Sequence, residues 1–128
     1  MEIEEYFAQI KAVVDQYAAA TFVVSANVAF ETRPGDQGFL AGKVRFVDSS
    51  ELHFREYLDV TAQAIEKVMY SYHFQDTTGI LIFRYDNAAH KPTLAISSHR
   101  HDPSGVKLAE TPRLEQVLAE VAERQRWV

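Results

Sequence analysis

The residues best suited to chemistry lie in the second half of the chain, between Arg84 and Lys107. This segment holds three of the five histidines, His90, His99 and His101, and its charged residues are four basic and two acidic. Imidazole changes charge near neutral pH, so two histidines can serve as a general acid and a general base. Because the segment is net positive on a chain with a formal net charge of −5, it could receive a phosphate-bearing ligand.

One residue separates His99 from His101, so on an extended segment both side chains point the same way. Such a pair can transfer protons, hold two corners of a metal site, or be two exposed loop histidines. The metal alternative needs a third ligand, for which His90, Asp86 and Glu56 are the candidates. We predict a site without a metal or other cofactor, and we keep a metal-binding hydrolase built on His99 and His101 as an alternative.

Arg84 and Asp86 lie two residues apart at the end of a predicted strand. They either neutralise each other or form a rigid donor–acceptor pair for a ligand. We predict that Arg84, helped by Lys91 or Arg100, stabilises charge on a phosphate, and that Asp86 orients a histidine or Arg84. Asn87 either closes a turn or contacts the substrate.

Glu56 lies on the apolar face of a predicted strand, on the core side when Phe46 is paired with Phe54. A carboxylate among apolar side chains is costly unless it is paired or at the edge of the sheet. Glu56 therefore either faces a cleft as a catalytic group, or reaches water or a basic residue, Lys43 or Arg45.

Aromatic residues alternate on the fourth predicted strand, at Tyr70, Tyr72 and Phe74. A two-residue loop at Thr77–Thr78 would pair Tyr72 with Phe83. Such cross-strand aromatic pairs favour core packing, but on an open face they would form a platform for stacking bases. Tyr72 is therefore also a substrate-binding candidate.

The elements that must position these residues follow an α+β pattern. Apolar residues recur at three- and four-residue steps over residues 1–20 and after Thr111, which is predicted to cap the second helix. Between the helices the period is two, and Thr61–Lys67 is either a helical turn or a wide connection. The predicted strands, with a short extended piece at the end, are residues 21–32, 39–47, 51–60, 68–75, 80–86 and 93–101.

Short turns between these strands favour antiparallel pairing. We therefore expect a single α+β domain over residues 1–128, an antiparallel β-meander of about five or six strands with an N-terminal and a C-terminal helix.

Composition narrows the functional classes. The chain has 128 residues, of which 47% are hydrophobic and 24% charged, as in one globular domain. It has no cysteine, which excludes disulfides, a thiolate zinc site and a thiol nucleophile. No apolar run reaches the roughly 20 residues of a membrane span. The acidic start differs from a secretory signal, so we expect a cytoplasmic protein with no membrane partner. Glycine-rich phosphate loops, dinucleotide fingerprints and hydrolase motifs are absent.

Three motifs together resemble the TumE-type toxins of toxin–antitoxin modules. These small proteins have a tyrosine-rich strand, a later Arg-Tyr-Asp-Asn run that ends near a histidine, and a late His-x-His. The matching positions are residues 70–76 (YSYHFQD), Gly79, residues 83–92 (FRYDNAAHKP) and residues 99–101 (HRH), together with the pair Glu56-Tyr57.

The resemblance covers residues 40–101. The sequence departs from the family pattern at Ala89, where proline is common, and at Lys91, where a second histidine is common. The resemblance implies a toxin with a cognate antitoxin, whereas a mechanism that needs paired histidines at positions 90 and 91 does not carry over.

Residues and resemblance together predict a toxin that cleaves RNA without a metal. Two groups would move protons, one from the ribose 2′-hydroxyl and one to the leaving oxygen, while arginine stabilises the phosphate. We expect the catalytic residues to converge on one water-accessible hollow at an end of the sheet. The predicted catalytic residues are Glu56, Arg84, Asp86, His90, His99 and His101, and the predicted substrate-binding residues are Tyr72, Asn87, Lys91 and Arg100.

The expected partners are a cognate antitoxin with a basic surface, RNA, and a second copy of the chain in a homodimer. The alternative outside enzymology is a protein-interaction module, in which the first helix or an open sheet edge binds a partner.

Overall fold

The computed structural model describes residues 1–62, 64–88 and 98–128. These residues form two helices and seven strands. The elements are α1 (Ile3–Ala18), β1 (Val23–Arg33), β2 (Gln37–Phe46), β3 (Glu51–Thr61), β4 (Ala64–Gln75), β5 (Leu81–Asp86), β6 (His99–Asp102), β7 (Gly105–Leu108) and α2 (Leu114–Arg124).

The seven strands form one antiparallel sheet in which each strand pairs with its neighbours in sequence, in the order β1 to β7. The predicted α+β meander with a helix at each end is confirmed. There is one more strand than expected, because Gly105–Leu108 pairs with β6 where we predicted none. The uncertain connection at Thr61–Lys67 is a tight hairpin, in which Thr61 pairs with Ala64 and Ala62 takes a left-handed φ of 46°.

Both helices pack against one face of the sheet, which we call the covered face. Its central residues are Leu40, Leu52, Phe74 and Phe83, all fully buried. The predicted apolar stripes of the helices supply the other side of this core. The buried stripe residues are Ile3, Phe7, Ile10 and Val14 in α1, and Leu114, Val117, Leu118 and Val121 in α2.

Gly38 allows α1 to approach the sheet closely. A Cβ atom at Gly38 would lie 2.9 Å from side-chain atoms of Ile3 and Phe7, closer than carbon atoms can pack. At the other end of the chain, α2 begins at Leu114 after the N-cap Arg113, and not after Thr111 as predicted. The Arg113 backbone N–H donates a hydrogen bond of 2.8 Å to the Gln116 side chain in place of the expected threonine cap.

The register between β2 and β3 differs from the predicted one. Phe54 pairs with Gly42 and not with Phe46, and Glu56 pairs with Leu40. The slip is an even number of residues, so every side chain stays on the face that we predicted.

The register between β4 and β5 differs in the same way. Tyr72 pairs with Tyr85 and not with Phe83, and His73 pairs with Arg84. The slip is again even, because the longer turn after Gln75 and the pairing irregularity between Phe74 and Gln75 together shift β5 by two residues. Among the described residues, no helix is long and apolar enough to cross a membrane.

Candidate functional site

The face of the sheet away from the helices, which we call the open face, carries most of the titratable residues predicted to act. Arg84 pairs with His101 across β5 and β6, and Asp86 pairs with His99. The remaining two described histidines, His53 and His73, face each other on β3 and β4. Each of the four histidines that the structure describes therefore lies on the open face.

Asp86 connects an arginine with a histidine. Arg84 Nε donates a hydrogen bond of 2.7 Å to Asp86 Oδ2, and His101 Nε2 lies 3.4 Å from Asp86 Oδ1. Asp86 is 4% exposed, whereas the Arg84 and His101 side chains are 32% and 21% exposed. The carboxylate is thus held inside while the two groups that it contacts reach solvent.

Residues of β3 and β4 extend this cluster sideways. Arg84 Nη1 lies 3.5 Å from His73 Nδ1, and Arg55 Nε donates a hydrogen bond of 3.2 Å to Ser71 Oγ. Burial lowers the pKa of His73, and the nearby Arg84 charge lowers it further. Both effects favour the neutral imidazole, and the contact of His73 Nε2 with Gln75 Oε1 at 3.1 Å opposes them.

Two adjoining concavities lie beside this cluster on the open face, and together we call them the open-face cleft. His99 and His101 are not among their described lining residues. The volumes of the two concavities are about 400 Å³ and about 160 Å³, and Arg55, Ser71 and Arg84 line both. The larger one also borders His73, and the smaller one borders Asp86, which is the one carboxylate among the described lining residues. The cleft therefore offers two guanidinium groups to an anionic ligand.

His99 is less accessible than the rest of the cluster. It is 2% exposed, and its ring centroid lies 6.2 Å from that of His101. The spacing of the two histidines does put them on one face, as expected from an extended segment. Among the residues described, no group of three histidine, aspartate or glutamate side chains is placed to hold a metal ion.

Glu56 is not part of this cluster, because it lies on the covered face. It is fully buried and accepts hydrogen bonds from the hydroxyls of Tyr6 and Tyr72, and Lys67 Nζ lies 3.5 Å away. Burial raises the pKa of both tyrosines, and Glu56 raises it further, so both remain protonated donors. The predicted single hollow that includes Glu56 is therefore wrong.

The partner of Glu56 is also not a predicted one. We expected Glu56 to contact water, Lys43 or Arg45. The side chains of Lys43 and Arg45 lie on the open face of β2, where Lys43 pairs with Glu51 at 3.4 Å. The partner is Lys67 on β4. Burial lowers the pKa of Lys67, and the Glu56 charge opposes this effect.

Two of the predicted substrate-binding residues also belong to the covered face. Tyr72 is fully buried beside Glu56. Arg100 donates a hydrogen bond of 2.7 Å from Nη2 to Glu120 on α2, and another of 3.2 Å from Nε to the Tyr85 hydroxyl. Arg100 thereby connects β6 with α2. Neither Tyr72 nor Arg100 lines the open-face cleft.

Asn87 lies at the end of the cleft, and its amide contacts the backbone of β4. Its Oδ1 accepts a hydrogen bond of 3.0 Å from Tyr70 N–H, and its Nδ2 donates one of 2.9 Å to the Val68 carbonyl. These bonds fix the end of β5 beside β4. His90 and Lys91, which we predicted to be catalytic and substrate-binding, lie outside the described residues.

Several polar residues of the cleft were not predicted as site residues, among them Arg55, Ser71 and His73. Strand alternation does place Ser71 and His73 opposite the tyrosines of β4, which is the signal that could have found them. Arg55 alternates with Glu56 on β3 in the same way. Following the faces of all strands, and not the motifs alone, would have collected them next to Arg84.

The fold and the site define a small α+β protein with a helix-covered sheet, whose uncovered face presents histidine, arginine and aspartate around a cleft. The model of the TumE toxin family matches residues 10–125, so the chain belongs to the TumE toxin family. It is therefore the toxin component of a toxin–antitoxin module, with an antitoxin as its partner. Comparisons with curated proteins and with solved structures gave no match.

Proposed function

We propose that this toxin is a metal-independent ribonuclease and that the open-face cleft is its active site. The observation that carries the proposal is the contact of Asp86 with both His101 and Arg84 beside a cleft that a second arginine, Arg55, also lines. This arrangement combines a proton donor or acceptor with positive charge for a phosphate.

The reaction is attack of the ribose 2′-oxygen on the adjacent phosphorus. His73, whose lowered pKa favours the neutral imidazole, accepts the 2′-hydroxyl proton, and the new bond forms a 2′,3′-cyclic phosphate. The bond from phosphorus to the 5′-oxygen breaks, and His101 donates a proton to that oxygen. Arg84 and Arg55 stabilise the negative charge that develops on the phosphate.

Other residues support this arrangement. Asp86 orients His101 and Arg84 through the contacts described above. His99 packs behind His101 as part of the same face. His90 and Lys91 stay predictions of the sequence, as a further proton-transfer group and a further phosphate contact.

The test is cleavage of single-stranded RNA by purified toxin in the presence of a chelator. We expect His101→Asn to lower kcat on the order of 10²–10⁴-fold with an unchanged melting temperature. Arg45→Gln is the matched control for charge, because Arg45 is exposed on the open face but does not line the cleft. It should cleave like the wild type.

The outcomes separate this proposal from the alternatives. Wild-type cleavage by both His101→Asn and His73→Asn would remove the histidine mechanism. Loss of wild-type cleavage on adding the chelator would point to the metal hydrolase. A toxin that stops growth without cleaving RNA, and keeps that effect in the double variant His99→Ala and His101→Ala, would be an interaction module.

A further inference from the structure

An aromatic pair lies on the open face next to the cleft. Phe39 and Tyr57 are opposite each other on β2 and β3, with ring centroids 4.6 Å apart and an interplanar angle of 43°. Both are half-buried and neither belongs to the core beneath the helices. The guanidinium carbon of Arg33 lies 5.5 Å and 5.9 Å from the two ring centroids. We call Phe39 and Tyr57 the aromatic pair.

Tyr57 joins the aromatic pair to the proposed active site. It lines the smaller concavity together with Arg55, Arg84 and Asp86. Two strand spacings across the sheet and two residues along the strand separate Tyr57 from Asp86, so their Cα atoms are about 12 Å apart. A ligand with its phosphate at the two arginines can therefore place a neighbouring flat group on the aromatic pair.

We propose that the aromatic pair is a base-stacking subsite, and that the cleft accordingly takes single-stranded nucleic acid. The inference rests on the proposed function and names the substrate class of the same site. Proteins bind single strands by combining cationic side chains along the backbone with aromatic rings on which bases stack. The bases of a duplex are already stacked on one another, so a duplex cannot use the pair without being opened.

The charge distribution favours a nucleic acid over an acidic or apolar peptide. Arg55 and Arg84 line both concavities, and Arg33, which is paired with Glu31 at 3.2 Å, lies against the aromatic pair. An arginine over an aromatic ring leaves a flat cationic surface against which a base can stack. The Arg33 side chain is 44% exposed, so it has room to make way for a base.

The experiment measures fluorescence anisotropy of labelled single-stranded DNA, which lacks the 2′-hydroxyl and is not cut. It uses His101→Asn as the background, and a duplex of the same sequence is measured in parallel. We expect Tyr57→Leu to weaken single-strand binding by about 5-fold to 150-fold, and Tyr57→Phe to retain it. Tyr17→Leu is the matched control, because Tyr17 is a half-buried tyrosine of α1 away from this face.

The result separates the two proposals. Unchanged affinity in Tyr57→Leu, or equal loss in Tyr17→Leu, would overturn the subsite while RNA cleavage could still hold. Tyr57-dependent binding without any RNA cleavage would overturn the ribonuclease and leave the subsite. Equal affinity for the duplex would also overturn the subsite. Should Tyr57→Leu not fold, Phe39→Leu tests the same pair and is expected to weaken binding in the same direction.

Discussion

Among the described residues, each face of the sheet contains one buried carboxylate, and the two differ in what surrounds them. Glu56 on the covered face contacts the hydroxyls of Tyr6 on α1 and of the fully buried Tyr72, together with Lys67, whose side chain is 14% exposed. Asp86 on the open face contacts Arg84 and His101, whose side chains are partly exposed.

The difference shows how burial alone fails to identify a functional carboxylate. Glu56 is the more deeply buried of the two, and its sequence position on an apolar strand face suggested catalysis. Its partners are more enclosed than those of Asp86: Tyr72 is fully buried and the Lys67 side chain is 14% exposed, so we assign the contacts of Glu56 to the fold. Asp86 is nearly as buried, but the Arg84 and His101 side chains that it contacts are 32% and 21% exposed, so the accessibility of the partners is the more informative property.

The largest effect that the comparison predicts is on stability. Replacing Glu56 by alanine leaves the Lys67 ammonium without its counter-charge and the hydroxyls of Tyr6 and Tyr72 without their acceptor. Removing one partner of a buried ion pair costs about 3–5 kcal/mol of unfolding free energy, a large part of what a domain of this size has. Urea denaturation of Glu56→Ala against the wild type measures it.

Glu51→Ala is the matched control for this change. Glu51 lies on the same strand, but it is on the open face and pairs with the exposed residues Lys43 and His53. Its loss should cost less than about 1 kcal/mol. Equal destabilisation by the two variants would contradict the structural role that we assign to Glu56.

The second effect is on activity and concerns Asp86. Asp86→Asn keeps the shape of the side chain but removes the charge that holds Arg84 and His101. Loss of a group that orients a histidine lowers activity by about 10–100-fold. We expect the loss in kcat with little change in KM, since Arg55 and the aromatic pair still bind the substrate.

The control for Asp86→Asn is Glu51→Gln, which also neutralises an open-face carboxylate that pairs with a cation and a histidine. It should leave kcat unchanged. A rise in KM with constant kcat in Asp86→Asn would show that Asp86 contributes to substrate binding and not to the orientation of His101. The role that distinguishes Asp86 from Glu56 would then be wrong.

The third effect is smaller and sharpens the description of the covered face. Tyr6→Phe removes one of the hydrogen bonds to Glu56 and, with it, a polar link between α1 and β3. The expected cost is about 1.5–3 kcal/mol in unfolding free energy, as for a hydrogen bond to a charged group. Tyr17→Phe, on the same helix, should change stability by much less. Equal values from the two variants in urea denaturation would remove Tyr6 from the network.

Periodicity was sufficient to predict the architecture but not the pairing of its parts. The helix stripes that end at Val14 and Val121 and the alternation in β1 to β5 reflect burial on one side, which the sequence records directly. The four-residue β7 is exposed along its length and leaves no such record. Registers depend on turn geometry, and the two errors were even slips that preserved the faces.

The site was predicted less completely, because its contacts join residues distant in sequence. Arg84 and Asp86 are two residues apart, and their hydrogen bond follows from strand alternation. The contact of Tyr6 with Glu56 spans 50 residues and depends on how α1 lies across the sheet, which no local pattern records. His73 reaches Arg84 only in the observed hairpin register.

The smallest effect is a pH dependence that distinguishes the open face. Burial and the Arg84 charge lower the pKa of His73 in the folded protein, so the unfolded chain, with a pKa of about 6.5, binds the proton more readily. The unfolding free energy is therefore highest above about pH 7, where His73 is neutral in both states, and it decreases as the pH falls through the lowered folded pKa.

Urea denaturation from about pH 7.5 to about pH 5 measures this decrease, which should be smaller in His73→Gln than in the wild type. Arg84→Gln should also reduce the loss, because it removes the second cause of the lowered pKa. If the unfolding free energy depends on pH in the same way in the wild type, His73→Gln and Arg84→Gln, the charge of Arg84 does not affect His73. The assignment of His73 as the general base would then be wrong.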